Sequence, residues 1–204
     1  ATRITVTAGN HAVMVSRDGY KPWQKQATVK PGAVLWLNYV RLVPTDPKID
    51  TAATYGSIAS VMASFDRSRF AVIENDTQPT GTFSRVHDAN VEHSSVTVPD
   101  DKITTPSAAG SSRFSLAGWD YANKRVLVLH TYDDSKTEYL LVSKDSGDPA
   151  RNISTEFGIS IAELQYDPTD SNIAYVLTTN HDIRRLNLST STLSGLLVTN
   201  ASSL

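Results

Sequence analysis

The chain has no cysteine, which excludes disulfides, thiolate metal sites and cysteine nucleophiles together without deciding the compartment. Long apolar runs are also missing. Polar residues interrupt each hydrophobic stretch, so no segment is expected to cross a bilayer as a helix. Charge of one sign is scarce: 19 Lys+Arg against 21 Asp+Glu leave a net charge of -2, with no Lys/Arg block. A general nucleic-acid binder needs a basic surface to displace counterions from phosphates, so no nucleic-acid partner is expected. No charged-then-apolar leader follows Ala1, so a signal or anchor is expected only upstream of these residues. What is present is a chain of 204 residues, 40% apolar and 20% charged, long enough for one large domain or two small ones with a real core. Abundant Ser and Thr and short Val/Ile/Leu clusters suit many short strands joined by polar turns. The expected class is all-β.

Residues 1–44 read as a small β-sandwich module. "ITVTAG" (Ile4 to Gly9) alternates apolar residues with Thr, and "HAVMVS" puts His11, Val13 and Val15 on one face. Gly19 suits a tight turn inside "SRDGYKPWQK". "QATVK" forms a third strand, closed by Pro31-Gly32. "AVLWLNYVRLVP" then predicts a long strand to Pro44, apolar on both faces and so covered on both sides. Tyr20 and Trp23 are expected to fold back over this small core. His11, in a strand, is expected to be a hydrogen-bonded structural residue.

These residues resemble the PEGA domain, a small β module of bacterial surface and envelope proteins. The match rests on Gly9, His11, Val13, Val15, Gly19, Tyr20, Trp23, Val29, Gly32, Leu35, Leu37, Leu42 and Pro44. The "LWLNYVRLVP" ending is similar to versions from the candidate phyla radiation. The family's opening hairpin, with its Pro-Glu-Gly-Ala motif, has no counterpart here. The chain is therefore expected to start partway through the module, leaving an open sheet edge that invites strand addition and oligomers.

A Pro/Thr/Asp-rich linker follows at 45–57, and 58–204 reads as repeats. Phe65-Asp66, Trp119-Asp120 and Tyr166-Asp167 each end an alternating strand. Each pair precedes a short polar turn and a near-continuous apolar strand. A spacing near 50 residues is that of propeller blades, and two weaker strands complete each unit. About three four-stranded blades are expected, at roughly 58–103, 113–157 and 159–200. Each Asp is expected to accept turn N–H groups, and each aromatic to wedge between blades. "YDPTDSNIAYVLT" resembles the strand pair of TolB-type and WD-repeat propellers. Closed propellers use about four to eight blades, so three predict a partial propeller or a fragment.

Candidate chemistry is thin. "HDANVEH" groups His87, Asp88, Glu92 and His93, types that can hold a divalent ion; the plain alternative is a polar hairpin turn. Asp133-Asp134 and Asp167, Asp170 and Asn172 offer oxygen ligands, without the spacing of a calcium loop. No Gly-x-Ser-x-Gly elbow, nucleophile–base–acid set, carboxylate pair or Gly-rich phosphate loop stands out. Asn-x-Ser/Thr sites at Asn75, Asn152, Asn187 and Asn200 are near chance, and Trp36 and Trp119 are expected to be packing residues. No catalytic residue and no cofactor is expected. The resemblances imply a non-catalytic binding or scaffolding protein of the bacterial envelope, outside the cytoplasm and anchored through a segment outside this chain. Its partner would be an envelope protein or a cell-wall glycan. The alternative is a carbohydrate-binding or glycan-processing protein.

Overall fold

A computed structural model describes residues 3–37, 39–48, 51, 53–87, 90–108, 110–144 and 149–204, and among them the side chains of 85–92 are not described. The chain divides into two units, Ala1–Thr51 and Ala52–Leu204. No helix among the described residues is long and apolar enough to cross a membrane.

In the first unit, β1 (Gly9–Val15) pairs antiparallel with β2 (Trp23–Val29), from Gly9 opposite Val29 to Val15 opposite Trp23. Gly19, at φ 79°, supplies the left-handed residue of the connection, where Tyr20 N–H donates to Arg17 O at 3.0 Å. Pro31 and Gly32 (φ 70°) close β2 in a turn completed by Ala33 N–H to Lys30 O at 3.1 Å. The chain returns beside the first connection through a Tyr20–Pro44 bridge and a Lys21 N–H bond to Val43 O at 2.7 Å.

Two strand expectations fail here. Residues 4–7 precede the strand, and the described residues of 33–43 form no strand at all. Trp36 is 73% exposed, and Val34, Leu35 and Tyr39 are exposed too. A strand apolar on both faces needs a layer on each side, and a two-stranded ribbon supplies neither. Ala27 is accordingly the one buried hydrophobic among the unit's described residues. Tyr20 and Trp23 are only half-buried, and Trp23 lies edge-on to Tyr39 at 6.0 Å.

The second unit holds three four-stranded antiparallel sheets, each taken from consecutive strands. The first is β3 (Ser60–Ala63), β4 (Arg69–Ile73), β5 (Thr80–His87) and β6 (Asn90–Thr97). The second is β7 (Ser112–Trp119), β8 (Arg125–Tyr132), β9 (Lys136–Ser143) and β10 (Arg151–Asn152). The third is β11 (Ile161–Tyr166), β12 (Ile173–Thr178), β13 (Ile183–Asn187) and β14 (Thr192–Val198). Meandering four-stranded sheets in chain order are propeller-like blades.

The fourth strand of the second blade is cut to two residues, and α1 (Ile153–Phe157) follows it. The local sequence favours that helix. Asn152 caps it by accepting Thr155 N–H, and Gly158 ends it at φ 61°.

The middle sheet is covered on both faces, which is why its strands read as continuous apolar runs. Val126, Val128, Leu140 and Val142 join Ala71, Ile73 and Phe83 of the first blade in one core. Leu127, Tyr139 and Leu141 face the other way, into a core with Leu164, Ala174, Val176 and Leu186 of the third blade.

Candidate functional site

The three aromatic-Asp turns interlock into one built surface. Asp66 Oδ1 accepts from Ser68 N–H (2.9 Å) and Ser64 Oγ (2.7 Å). Asp120 Oδ1 accepts from the N–H groups of Lys124 (2.7 Å) and Arg125 (3.0 Å). Asp167 Oδ1 accepts from Thr169 N–H at 2.8 Å and Asp170 N–H at 3.1 Å. Bonds from the Ser68 backbone and the Ser64 and Ser68 hydroxyls hold the Asp66 carboxyl down at about 2. Bonds from the side chain and then the backbone of Thr169 lower that of Asp167.

Two arginines that open the second strands tie each turn to the next blade. Arg69 Nη1 donates to Asn123 O at 2.9 Å, and Arg125 Nη2 donates to Ser171 O at 2.6 Å. Asp66 N–H donates to Asn123 Oδ1 (3.3 Å) and Ala122 N–H to Ser171 Oγ (2.8 Å). Arg125 also pairs with the buried Asp120 carboxylate at 3.1 Å. An open cleft of ≈ 590 Å³ lies between the second and third turns, lined by Tyr121, Lys124, Arg125, Thr169 and Asp170 among others.

The wedge expected of the aromatics is made by two of the three. Trp119 meets Phe83 edge-on at 5.8 Å, and its Nε1–H donates to Met62 O at 3.1 Å. Tyr166 packs beside Gly118 of the preceding blade. Burial pushes the Tyr166 hydroxyl up, and its buried oxygen finds no partner among the described residues. Phe65 is 62% exposed instead. Each wedge packs on the blade before its own, and Phe65 belongs to the first blade of the second unit. Its ring meets Tyr121, itself exposed, at 5.4 Å.

A second polar cluster crosses the middle blade, where the sequence offers no motif. Ser112 Oγ lies 2.7 Å from His130 Nε2, and His130 Nδ1 lies 2.8 Å from Glu138 Oε1. Glu138 also accepts from Thr104 N–H (2.9 Å), Thr104 Oγ1 (2.6 Å) and Asn152 Nδ2 (2.7 Å). Burial pushes this carboxyl up, but the bonds from His130, Thr104 and Asn152 outweigh it and hold it at about 2. His130 is fully buried, stacked between Phe114 at 4.4 Å and Tyr132 at 5.1 Å. Thr104 and Asn152 also line an open cavity of ≈ 420 Å³ with Lys102, Arg151 and Glu156.

Among the metal candidates, Asp88 and the side chains of His87 and Glu92 lie outside the described residues. His93 Nδ1 lies 2.8 Å from Ser84 Oγ, and its ring is edge-on to Tyr55. Asp133 Oδ1 takes Ser107 N–H and Oγ, and Oδ2 takes Lys136 Nζ. No group of three or more His, Cys, Asp or Glu is placed to hold a metal among the described residues. His11 Nε2 lies 2.8 Å from Thr7 O. Gly9, Gly19 and Gly32 all take positive φ.

Arg69, Arg125, Asn123 and Ser171 were not singled out by sequence reasoning. The one available signal was an Arg at the start of the strand after two of the three turns. Ser112, His130 and Glu138 are 18 and 8 residues apart, and only the register of β8 on β9, which sets His130 opposite Glu138, unites the last two.

The PEGA domain family matches residues 1–45. No curated protein matches the chain. Among solved structures, AztD from Citrobacter koseri in its apo form is 17% identical at a TM-score of 0.49, over 94% of this chain and 47% of that one. The periplasmic gluconolactonase of Pseudomonas aeruginosa is 16% identical at 0.42, over 78% and 42%. The C-terminal WD40 domain of Sif2 is 10% identical at 0.41, over 69% and 37%. The chain thus spans less than half the length of these structures. Residues 1–45 thus match the PEGA domain, and the second unit is built of propeller-like four-stranded repeats.

Proposed function

We propose that this chain is a binding and scaffolding protein that acts outside the cytoplasm of a bacterium. Its interlocked blade turns present a contact surface to an envelope protein or a cell-wall glycan. The observation that carries the reading is the turn surface itself. Backbone-capped aspartates and blade-crossing arginines fix loops that show solvent two touching aromatic rings, Phe65 and Tyr121, beside a polar cleft. Preorganised loops with aromatic anchors favour recognition, because little side-chain freedom is left to lose on binding. The PEGA match supports the setting. Such a surface needs no covalent chemistry.

A glycan is the second reading, since exposed rings beside polar groups suit sugar faces. Sedimentation with purified peptidoglycan and crosslinking in intact envelopes test both. Wild type should be retained in at least one, and the Phe65→Ala/Tyr121→Ala double variant should lose that retention while still folding. Retention in neither, or retention unchanged in the double variant, rejects the turn surface as the contact.

A further inference from the structure

We propose that Ser112 is a nucleophile, activated by His130 and oriented through Glu138, that captures small activated acyl or phosphonyl groups. This is independent of the turn-surface reading, because the three residues lie elsewhere on the middle blade. The geometry is that of a serine–histidine–acid set, recognised by contacts and roles and not by sequence order. Glu138 is a carboxylate held by four hydrogen-bonding groups, and an ionised carboxylate only accepts. His130 Nδ1 must therefore carry the hydrogen, which in the neutral ring leaves Nε2 to accept from the Ser112 hydroxyl, 2.7 Å away. Phe114 and Tyr132 fix the ring from both sides.

A purely structural account explains less. The neighbouring cross-strand positions of the same sheet are filled by Val126, Val128, Leu140 and Val142, and an apolar side chain avoids the cost of burying a charge. The relay instead ends on a serine that is partly exposed, at the first residue of β7. A second serine–histidine contact, Ser84 with His93, gives an internal contrast, because Ser84 is buried at 1% exposure. Ser111, the residue before it, donates its hydroxyl to the Asp134 carboxylate at 3.3 Å.

In the proposed step Ser112 Oγ attacks the phosphorus of a fluorophosphonate, the P–F bond breaks and fluoride leaves. The hydroxyl proton passes to His130 Nε2, and Glu138 balances the imidazolium. The experiment treats the full chain with a fluorophosphonate probe and maps adducts by peptide mass spectrometry. Wild type alone decides the first point: an adduct at Ser112 at least tenfold above those at Ser84 and Ser111 supports the proposal. No adduct on folded protein, or equal modification of all three, overturns it. Ser112→Ala should lose the adduct, and Ser84→Ala should keep it. Glu138→Gln should slow labelling at least tenfold at a temperature where circular dichroism shows it folded. If that variant does not fold, His130→Ala with added imidazole replaces it; recovered labelling supports the role of the base, and labelling indifferent to imidazole counts against it.

Discussion

β1 and β8 are strands of seven and eight residues, each holding a run of four apolar residues, 12–15 and 126–129. Their fates differ. β1 pairs with β2 alone and buries none of its residues. β8 lies between β7 and β9, with a core on each face, and Val126 and Leu127 are wholly buried. Apolar residues make a strand possible, whereas burial needs neighbours in the sheet and layers above and below it. The second unit has those layers because each blade covers the next.

The sharpest way to break that contrast is to attack the place where blades are tied together. Asp120 is 1% exposed and answers two backbone N–H groups and the Arg125 side chain. Asp120→Ala should cost the second unit about 3–5 kcal/mol, because it strands a partly buried guanidinium and two turn donors. Urea unfolding should show this as a large fall in midpoint. A loss below about 1 kcal/mol would mean that the turns do not couple the blades.

Acid provides a milder probe of the same unit. Glu138 is held at about 2 against an ordinary 4.5, and Asp66 at about 2 against 3.8. A depressed pKa means that the folded state binds its proton less readily than the unfolded chain does. The stabilisation is therefore complete above about pH 4.5 and is lost as pH falls toward 2. For the buried Glu138 the loss is roughly 3 kcal/mol. Urea midpoints measured from pH 6 to pH 2.5 should fall below pH 4.5, and Glu138→Gln should flatten that fall. A flat wild-type profile would remove Glu138 from the list of stabilising groups.

Much of the second unit was legible because its signals are local. An aromatic, an aspartate and a polar turn before an apolar run specify a hairpin by turn chemistry alone. The Ser112, His130 and Glu138 set was not legible, because cross-strand register assembles it and no spacing marks it. The Arg69 and Arg125 ties were hidden for a similar reason, as their partners belong to the next blade. The first unit was misread in its second half. Residues 33–43 carry the apolar run of a strand covered on both sides, but nothing in that pattern states whether a sheet is there to receive them. In blade two, the capping Asn152 and the terminating Gly158 outweighed a weak strand pattern.

The smallest effect separates two tryptophans that the sequence treats alike. Trp119 is buried between blades and donates its indole N–H to Met62 O. Trp36 is 73% exposed. Trp119→Phe keeps much of the ring but leaves the Met62 carbonyl without that donor, so it should cost about 1–2 kcal/mol. Trp36→Ser removes a larger group yet should change stability by no more than about 0.5 kcal/mol, because little of it leaves water on folding. Thermal unfolding of the two variants beside wild type checks the order. If Trp36→Ser proves the more damaging, residues 33–43 are packed in solution, and the contrast between the units narrows to one of sheet size.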